Sequence, residues 1–550
     1  MRKLSLIAAL AVTLGACASQ PQRSAPPQAV SPKSGGTAAG SLDAIKTIVV
    51  IYAENRAFDN LYGSFPGANG LQHVTPEQAL QRDRDGKPLP TLPPVPGKGL
   101  TDPSDPTEIT TEMTAGHPNA PYALDDPQGY NVGLDYKLHD LVHAFYQNQM
   151  QINGGRNDMF AAYSDAGGQV MGHFDGSKMA LWQVAKKYTL ADNFFQGGFG
   201  GSFFNHQYLI CACAPIDYQA KNDPQKYHAA ISAVAADGVS LKLDPETPAS
   251  AVQGPPKWQH YGVLTPDFYA VNTMQPPYQP SASLAPKGGD WRFADTDAVN
   301  TLTPQILPTI GDRLSDANIS WAWYGGGWRS AIVASENLRK YLEGKGNEAY
   351  TWPDATASGV TMAHVQFQYH HQPFNYYANF APGRPARAEH LRDGGLDGVK
   401  FLADIDAGKL PPVTFYKPQG SQNEHAGYAT IREGDAHIAN VIAHLEKSPQ
   451  WANMVVVITY DENGGWWDHV APPKGDRWGP GSRVPALIIS PFARRGFVDH
   501  TQYDTGSIQR LINRRFGLAP LPGIEQRDAA LRANGQSPMG DLSAALEFSR

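Results

Sequence analysis

The sequence predicts an α/β protein with a mostly parallel central sheet and helices on both faces. Three observations predict it. Short β-branched runs alternate with helical stretches along most of the chain. Two runs, residues 47–52 and 454–460, are almost wholly apolar, as in strands buried on both faces. Both stop at an acidic and amide cluster, Glu54-Asn55 in the first case and Asp461-Glu462-Asn463 in the second. Ligands of such sheets bind at the carboxyl ends of the strands. If the two strands lie side by side, Glu54, Asn55, Asp461 and Glu462 meet. Three carboxylates at one point repel each other unless a cation lies between them.

The chain has 550 residues, enough for one large core or several domains. Its formal charge of −7, with no basic run to track a phosphate backbone, argues against nucleic acid as a partner. Arg2 and Lys3 precede an apolar run over 4–14 that is too short to span a bilayer, the pattern of a secretory signal. It ends in Leu14-Gly15-Ala16-Cys17, which resembles the bacterial lipobox, whose cysteine is lipidated. The alternative is plain cleavage beside a chance cysteine. Ala18, not Asp, follows Cys17, so retention at the inner membrane is not signalled. The expectation is export in a Gram-negative bacterium, as an outer-membrane lipoprotein or a periplasmic protein, with the membrane reached through the N-terminal lipid. Residues 1–17 then form the signal and lipobox. Residues 18–41, rich in Pro, Ser, Gln and Gly, form a flexible tether.

The elements follow in order. Residues 45–52 form the first strand. A loop rich in Pro and Asp runs over 64–131. A helix over 138–152 places His139 and His143 at i and i+4, on one face. A polar turn over 153–158 and a helix over 179–188 lead to the glycine turn at 197–201, Ser202 and a helix from 203. Residues 213–295, with many Pro and aromatic residues and weak periodicity, read as an insertion or cap. A helix over 305–316 and a strand over 319–324 come next. Residues 388–402 read as mostly helical, broken at Gly394-Gly395. Then come a strand at 413–416, a helix over 435–447, strands over 454–460 and 484–490, and a helix over 508–516. The main domain is thus 42–525, and 526–550 is a polar tail. Cys211 and Cys213 are separated by one residue, a spacing that strains a disulfide, and buried thiols are the favoured reading.

Ser202 follows closely spaced glycines and opens a helix. Glycines let the backbone approach a ligand, and a helix N-terminus suits an anion. The two readings of Ser202 are helix cap and nucleophile. No Gly-x-Ser-x-Gly elbow surrounds it, since Phe204 stands where the second glycine would be, so a metal is the more natural activator. Oxygen-rich ligands point to one hard divalent ion such as Ca²⁺, Mg²⁺ or Mn²⁺, though Zn²⁺ also accepts carboxylates. Seventeen histidines include His370-His371 and His425, suited to donate to phosphate or to a leaving group.

The motifs then resemble a known family. Glu54-Asn55-Arg56-Ala57-Phe58-Asp59 with Tyr62-Gly63, Asn153-Gly154-Gly155 with Asp158, Ala191-Asp192-Asn193, Asp461-Glu462-Asn463-Gly464-Gly465 with Asp468-His469-Val470, and Arg483-Val484-Pro485 are similar to motifs of a bacterial phosphoesterase family. That family joins the non-haemolytic and haemolytic phospholipases C to acid phosphatase A. The resemblance implies an alkaline-phosphatase-like sandwich. It implies a metal held by Glu54, Asn55, Asp461 and Glu462, with the nucleophile Ser202 as a further ligand. It places Asn205, His370, His371 and His425 around the phosphate, with His143 preferred over His139 and His117 as an outside candidate. Serine at position 202, within Gly-Gly-Ser-Phe-Phe-Asn-His, resembles the acid phosphatase branch. The expected function is therefore phosphomonoester hydrolysis through a phosphoserine, with His425 donating to the leaving oxygen and small phosphoesters as substrates. The alternatives are a phospholipase C acting on phosphatidylcholine-type diesters, and a non-catalytic metal-binding envelope lipoprotein.

Overall fold

The computed structural model describes residues 42–96, 109–286, 288–342 and 367–548. Cys17, the signal and the tether lie outside the described residues. Among the described residues the main sheet has eight strands. They are β1 (Thr47–Ala53), β2 (Thr189–Ala191), β3 (Trp321–Gly326), β4 (Leu391–Gly395), β5 (Val413–Lys417), β6 (Met454–Tyr460), β7 (Ala486–Ile489) and β8 (Phe497–Asp499). Their order is β8-β2-β7-β6-β1-β5-β3-β4. All pairings are parallel except those of β7, which runs antiparallel to both β6 and β2.

The helices that frame the site are α1 (Phe145–Ile152), α2 (Ala180–Lys187), α3 (Ser202–Cys211), α4 (Ile310–Asp316), α5 (Val399–Asp406), α6 (Ile431–Lys447), α7 (Gly506–Phe516) and α8 (Pro522–Ala533). They cover both sheet faces, as alternation along a strand requires. On β5, Phe415 packs against Trp323 and Phe374, while the next residue, Tyr416, packs against Phe401 of α5 and bonds His437 of α6. On β3, Trp323 and Tyr324 divide in the same way. The central strands β1 and β6 are buried along their whole length. That is the physical reason they read as unbroken apolar runs.

The structure corrects several expectations. The helix of 138–152 begins only at Phe145. Upstream the backbone is committed to tertiary partners: Leu138 O accepts from Gly427 N, and Val142 N donates to Asp165 Oδ1 at 2.8 Å. His139 and His143 therefore do not share a helix face. Residues 388–402 hide a strand, β4, between two helices. Its glycines let it lie close against β3, where a Cβ on Gly394 would stand 3.3 Å from Gly325 O. Cys211 and Cys213 form a disulfide, with Cα atoms 5.1 Å apart, against the favoured reading of free thiols. The chain beyond 525 is no simple tail: α8 continues to Ala533 and buries Arg527 completely.

Residues 213–295 carry isolated bridges rather than long strands, among them Ile231↔Leu264 and Leu243↔Trp258. They are tied to the core at several points. Asn272 Oδ1 accepts from Phe145 N at 3.0 Å, Arg477 pairs with Asp267 at 2.7 Å, and Arg84 donates to Pro248 O and Gly254 O.

Candidate active site

β1 and β6 lie side by side in register, Thr47 opposite Met454 through Ala53 opposite Tyr460. The residues that follow, Glu54 and Asp461, therefore emerge together at the carboxyl edge of the sheet. Asp461 Oδ1 accepts from Asn55 N at 3.0 Å and from Glu462 N at 2.8 Å, which locks the two loops together. Asn55 takes a left-handed backbone, φ 60°, which asparagine tolerates better than most residues. Glu54, Asn55, Asp461 and Glu462 are all buried. Burial, reinforced by the Asp461 charge, pushes the carboxyls of Glu54 and Glu462 well above their ordinary range.

Ser202 reaches this cluster from the other side. A Cβ at Gly200, φ +81°, would stand 2.3 Å from Phe145 N, so only glycine makes this turn. Gln196 Nε2 braces it by donating to Gly198 O at 2.9 Å and Gly200 O at 3.1 Å. Gly201 occupies the N-cap of α3, so Ser202 is not the cap and its hydroxyl is available. Its Oγ lies 3.4 Å from both Asn55 Oδ1 and Glu462 Oε1.

These residues fit a divalent cation. Asp461 Oδ2 is buried without a hydrogen-bond partner. The Asn55 amide gives a second indication. With its oxygen toward the carboxylates, that atom lies 3.0 Å from Glu462 Oε1 and 3.2 Å from Glu54 Oε2, oxygen against oxygen. With its nitrogen there, its oxygen must accept from His425 Nε2. His425 Nδ1 already faces the Ala426 carbonyl, and burial, then His143, hold the His425 pKa well below its ordinary value. A neutral His425 has one N–H, given to Ala426, so its Nε2 is an acceptor. That favours the oxygen-inward amide, an arrangement that a cation among Asn55, Glu54 and Glu462 would stabilise.

The predicted histidines divide. A cleft of about 320 Å³ opens onto Ser202, and His143 and His370 line it. His143 Nε2 lies 3.4 Å from Glu462 Oε1. Tyr261, Gly262, Val263, Asn272 and Thr273, all from the 213–295 segment, line the same cleft. His371 and His425 are buried and do not line the cleft. With Nδ1 on Ala426 O and Nε2 on Asn55, both ring nitrogens of His425 are engaged inside the protein. Asn205 does not face the cleft either. Its Oδ1 accepts from Gly198 N at 2.9 Å and its Nδ2 donates to Gly200 O at 2.9 Å, so its amide is engaged with the glycine turn. His139 and His117 lie elsewhere, His117 packing its ring against Tyr122 and Tyr130.

Two residues at the site were not singled out from the sequence. His206 lies one turn after Ser202 on α3, and that i+4 spacing is the signal that could have found it. Lys417 is the last residue of β5, and its ammonium contacts Glu54 Oε1 and donates to Tyr52 O at 3.0 Å. A lysine ending an apolar strand was its only mark.

The remaining motif residues form a brace behind the site. Arg483 donates to Asp468 at 3.0 Å, to Asp59 at 3.1 Å, and to the carbonyls of Asn69 and Asp192 at 2.7 and 2.8 Å. His469 Nδ1 lies 2.6 Å from Asp59 Oδ2. Burial opposes the Asp59 charge, but Arg483 and His469 hold its carboxyl below the usual range. The brace ties together the segments that carry Glu54, Ser202 and Glu462.

The chain is similar to several known proteins. Phospholipase C B of Mycobacterium tuberculosis is 24% identical over 93% of this chain and 80% of its own length. The non-hemolytic phospholipase C of Burkholderia pseudomallei is 24% identical over 93% of this chain and 60% of its own length. Among solved structures, a protein of the alkaline phosphatase superfamily from Vibrio parahaemolyticus covers 69% of this chain and 65% of its own, at 9% identity and a TM-score of 0.27. The Phosphoesterase family matches residues 45–519, and the chain belongs to that family.

Proposed function

We propose that the protein hydrolyses phosphoric esters in two displacements, with Ser202 as nucleophile. The position of Ser202 carries this reading: its Oγ lies 3.4 Å from Asn55 Oδ1 and Glu462 Oε1 and opens on the cleft. In the first displacement Oγ forms a bond to phosphorus and the ester oxygen leaves as an alcohol. In the second, water cleaves the phosphoserine and releases the phosphorylated product. A divalent ion held by Glu54, Asn55, Asp461 and Glu462 would favour ionised Ser202 and offset charge on the phosphoryl oxygens. His143 and His370 line the cleft and in this reading donate to those oxygens or to the departing one. The α3 N-terminus adds unpaired N–H groups beside the same oxygens.

The names of the relatives favour a phosphodiester of the phospholipase C type as substrate. An apolar crevice of about 390 Å³, lined by Phe145, Tyr146, Phe199, Val239 and Pro472 next to the glycine turn, suits the acyl part of such a lipid. The monoester reading rests on the likeness of the Ser202 segment to the acid phosphatase branch. Turnover of p-nitrophenyl phosphate against p-nitrophenylphosphorylcholine on one preparation separates the two. The nucleophile is tested by acid quench and mass spectrometry of the Ser202 peptide: wild type should carry a phosphoryl group and Ser202→Ala should be inactive. Near-wild-type turnover in Ser202→Ala would falsify the assignment. Dialysis against a chelator should abolish turnover, and added Mn²⁺ or Zn²⁺ should restore it.

A further inference from the structure

Glu54 faces two ways. Its Oε2 points to the Asn55 amide, on the Ser202 side of the site. Its Oε1 points to a different group of atoms: His206 Nε2 at 3.5 Å, His371 Nδ1 at 3.3 Å, and the Lys417 ammonium. The two imidazoles are stacked, with centroids 4.7 Å apart and planes 5° from parallel. His206 is 0% exposed and His371 1%. His206 Nδ1 lies 2.8 Å from Ser202 O, so its N–H belongs there and its Nε2 presents a lone pair to Glu54. Neither His206 Nε2 nor either ring nitrogen of His371 has a hydrogen-bond partner.

A carboxylate with two buried imidazoles, one held in its tautomer by a backbone carbonyl, is a donor set for a divalent transition metal. It is separate from the oxygen donors around Ser202 and shares only Glu54 with them. One feature keeps it from acting as a second metal position. Lys417, its side chain 1% exposed, already rests its ammonium on Glu54 Oε1 and is held there by the Tyr52 carbonyl at 3.0 Å. The charges agree. Glu54, Asp461 and Glu462 bring three negative charges to one buried place, Lys417 returns one, and a single divalent ion neutralises the remainder.

We infer that Lys417 is a built-in cation that takes the place of a second metal ion and holds the centre to one divalent ion per chain. Removing its ammonium exposes Glu54, His206 and His371 as a second metal site. The inference rests on the reading of the Ser202 cluster as a divalent metal centre. It adds a reason for the stoichiometry and a role for His206 and His371 that does not involve phosphate.

The test is metal content. Full-length wild-type protein, Lys417→Ala and Lys417→Ala/His206→Ala are saturated with Zn²⁺, desalted and analysed for metal per chain. Folding is checked by circular dichroism. One ion in wild type, two in Lys417→Ala and one in the double variant are expected. Two tightly held ions in wild type, or one in folded Lys417→Ala, overturn the inference. A wild-type chain that binds no divalent ion overturns the metal-centre reading and this inference with it. Should Lys417→Ala fail to fold, Lys417→Gln keeps the volume and a donor for Tyr52 O but lacks the charge. Its remaining ion should bind at least about tenfold more tightly by calorimetry, a change of about 1.4 kcal/mol. Equal affinity in Lys417→Gln and wild type counts against Lys417 as a competing cation.

Discussion

Arg527 Nη2 donates to Gly197 O at 2.8 Å, so a helix near the end of the chain holds the start of the turn that carries Ser202. The same guanidinium pairs with Asp504 at 3.0 Å and Asp476 at 2.9 Å and lies over the Tyr208 ring of α3. Arg527→Ala leaves a buried Asp504 without its partner and frees Gly197. The expected loss of stability is about 3–5 kcal/mol, read by urea unfolding. Activity should fall further than the folded fraction does. A variant with wild-type stability would show that the brace is dispensable.

Gly200→Ala should be severe for two independent reasons. The left-handed backbone alone costs about 1–2 kcal/mol for an alanine. The new Cβ would also meet Phe145 N at 2.3 Å and Phe145 Cα at 2.4 Å, and Phe145 follows closely after His143. Both Tm and kcat should drop. Unchanged kcat in the soluble variant would mean that the turn does not position Ser202.

Glu424, which is not among the proposed metal ligands, gives a pH dependence. Its Oε2 accepts from Tyr460 OH at 2.8 Å. Burial, then the Asp435 charge, pushes its carboxyl up from 4.5 to about 8. Folded Glu424 is therefore protonated up to about pH 8, while in the unfolded chain it ionises above 4.5. Between those values the folded state binds more protons. Its contribution is complete at low pH and is lost as pH rises through the folded pKa, by up to about 1.4 kcal/mol per pH unit. Glu424→Gln should raise Tm relative to wild type more at pH 8 than at pH 5. Equal differences at both pH values would rule out this linkage.

The proposed lipid anchor at Cys17 is testable in cells. Cys17→Ser should move the protein from the membrane fraction to the soluble periplasm without changing turnover per molecule. Continued membrane association in that variant would mean that another feature anchors it.

Much of the fold was legible because buried parallel strands must be apolar throughout. Residues 47–52 and 454–460 advertised themselves for that reason, and their acidic ends marked the site. The helix over 138–152 misled because its first half has a helical pattern but takes its hydrogen bonds from Asp165 and Gly427. β4 was missed because Gly394 and Gly395 read as a helix break, while their use is close approach to β3. Asn205 lies three residues from Ser202, and only the tertiary structure shows that both ends of its amide are spent on the glycine turn.

By itself the sequence determined the residue types of the candidate site: two acidic strand ends, a glycine-flanked serine and a set of histidines. Local rules suffice for these, since strand burial and turn chemistry act over a few residues. Tertiary structure decided which of them meet. Lys417 and His206 join Glu54, His370 enters the cleft while His371 turns behind it, and Arg527 reaches Gly197 across 330 residues. These choices depend on strand order and register, which place β5 beside β1, and no local pattern encodes that neighbour.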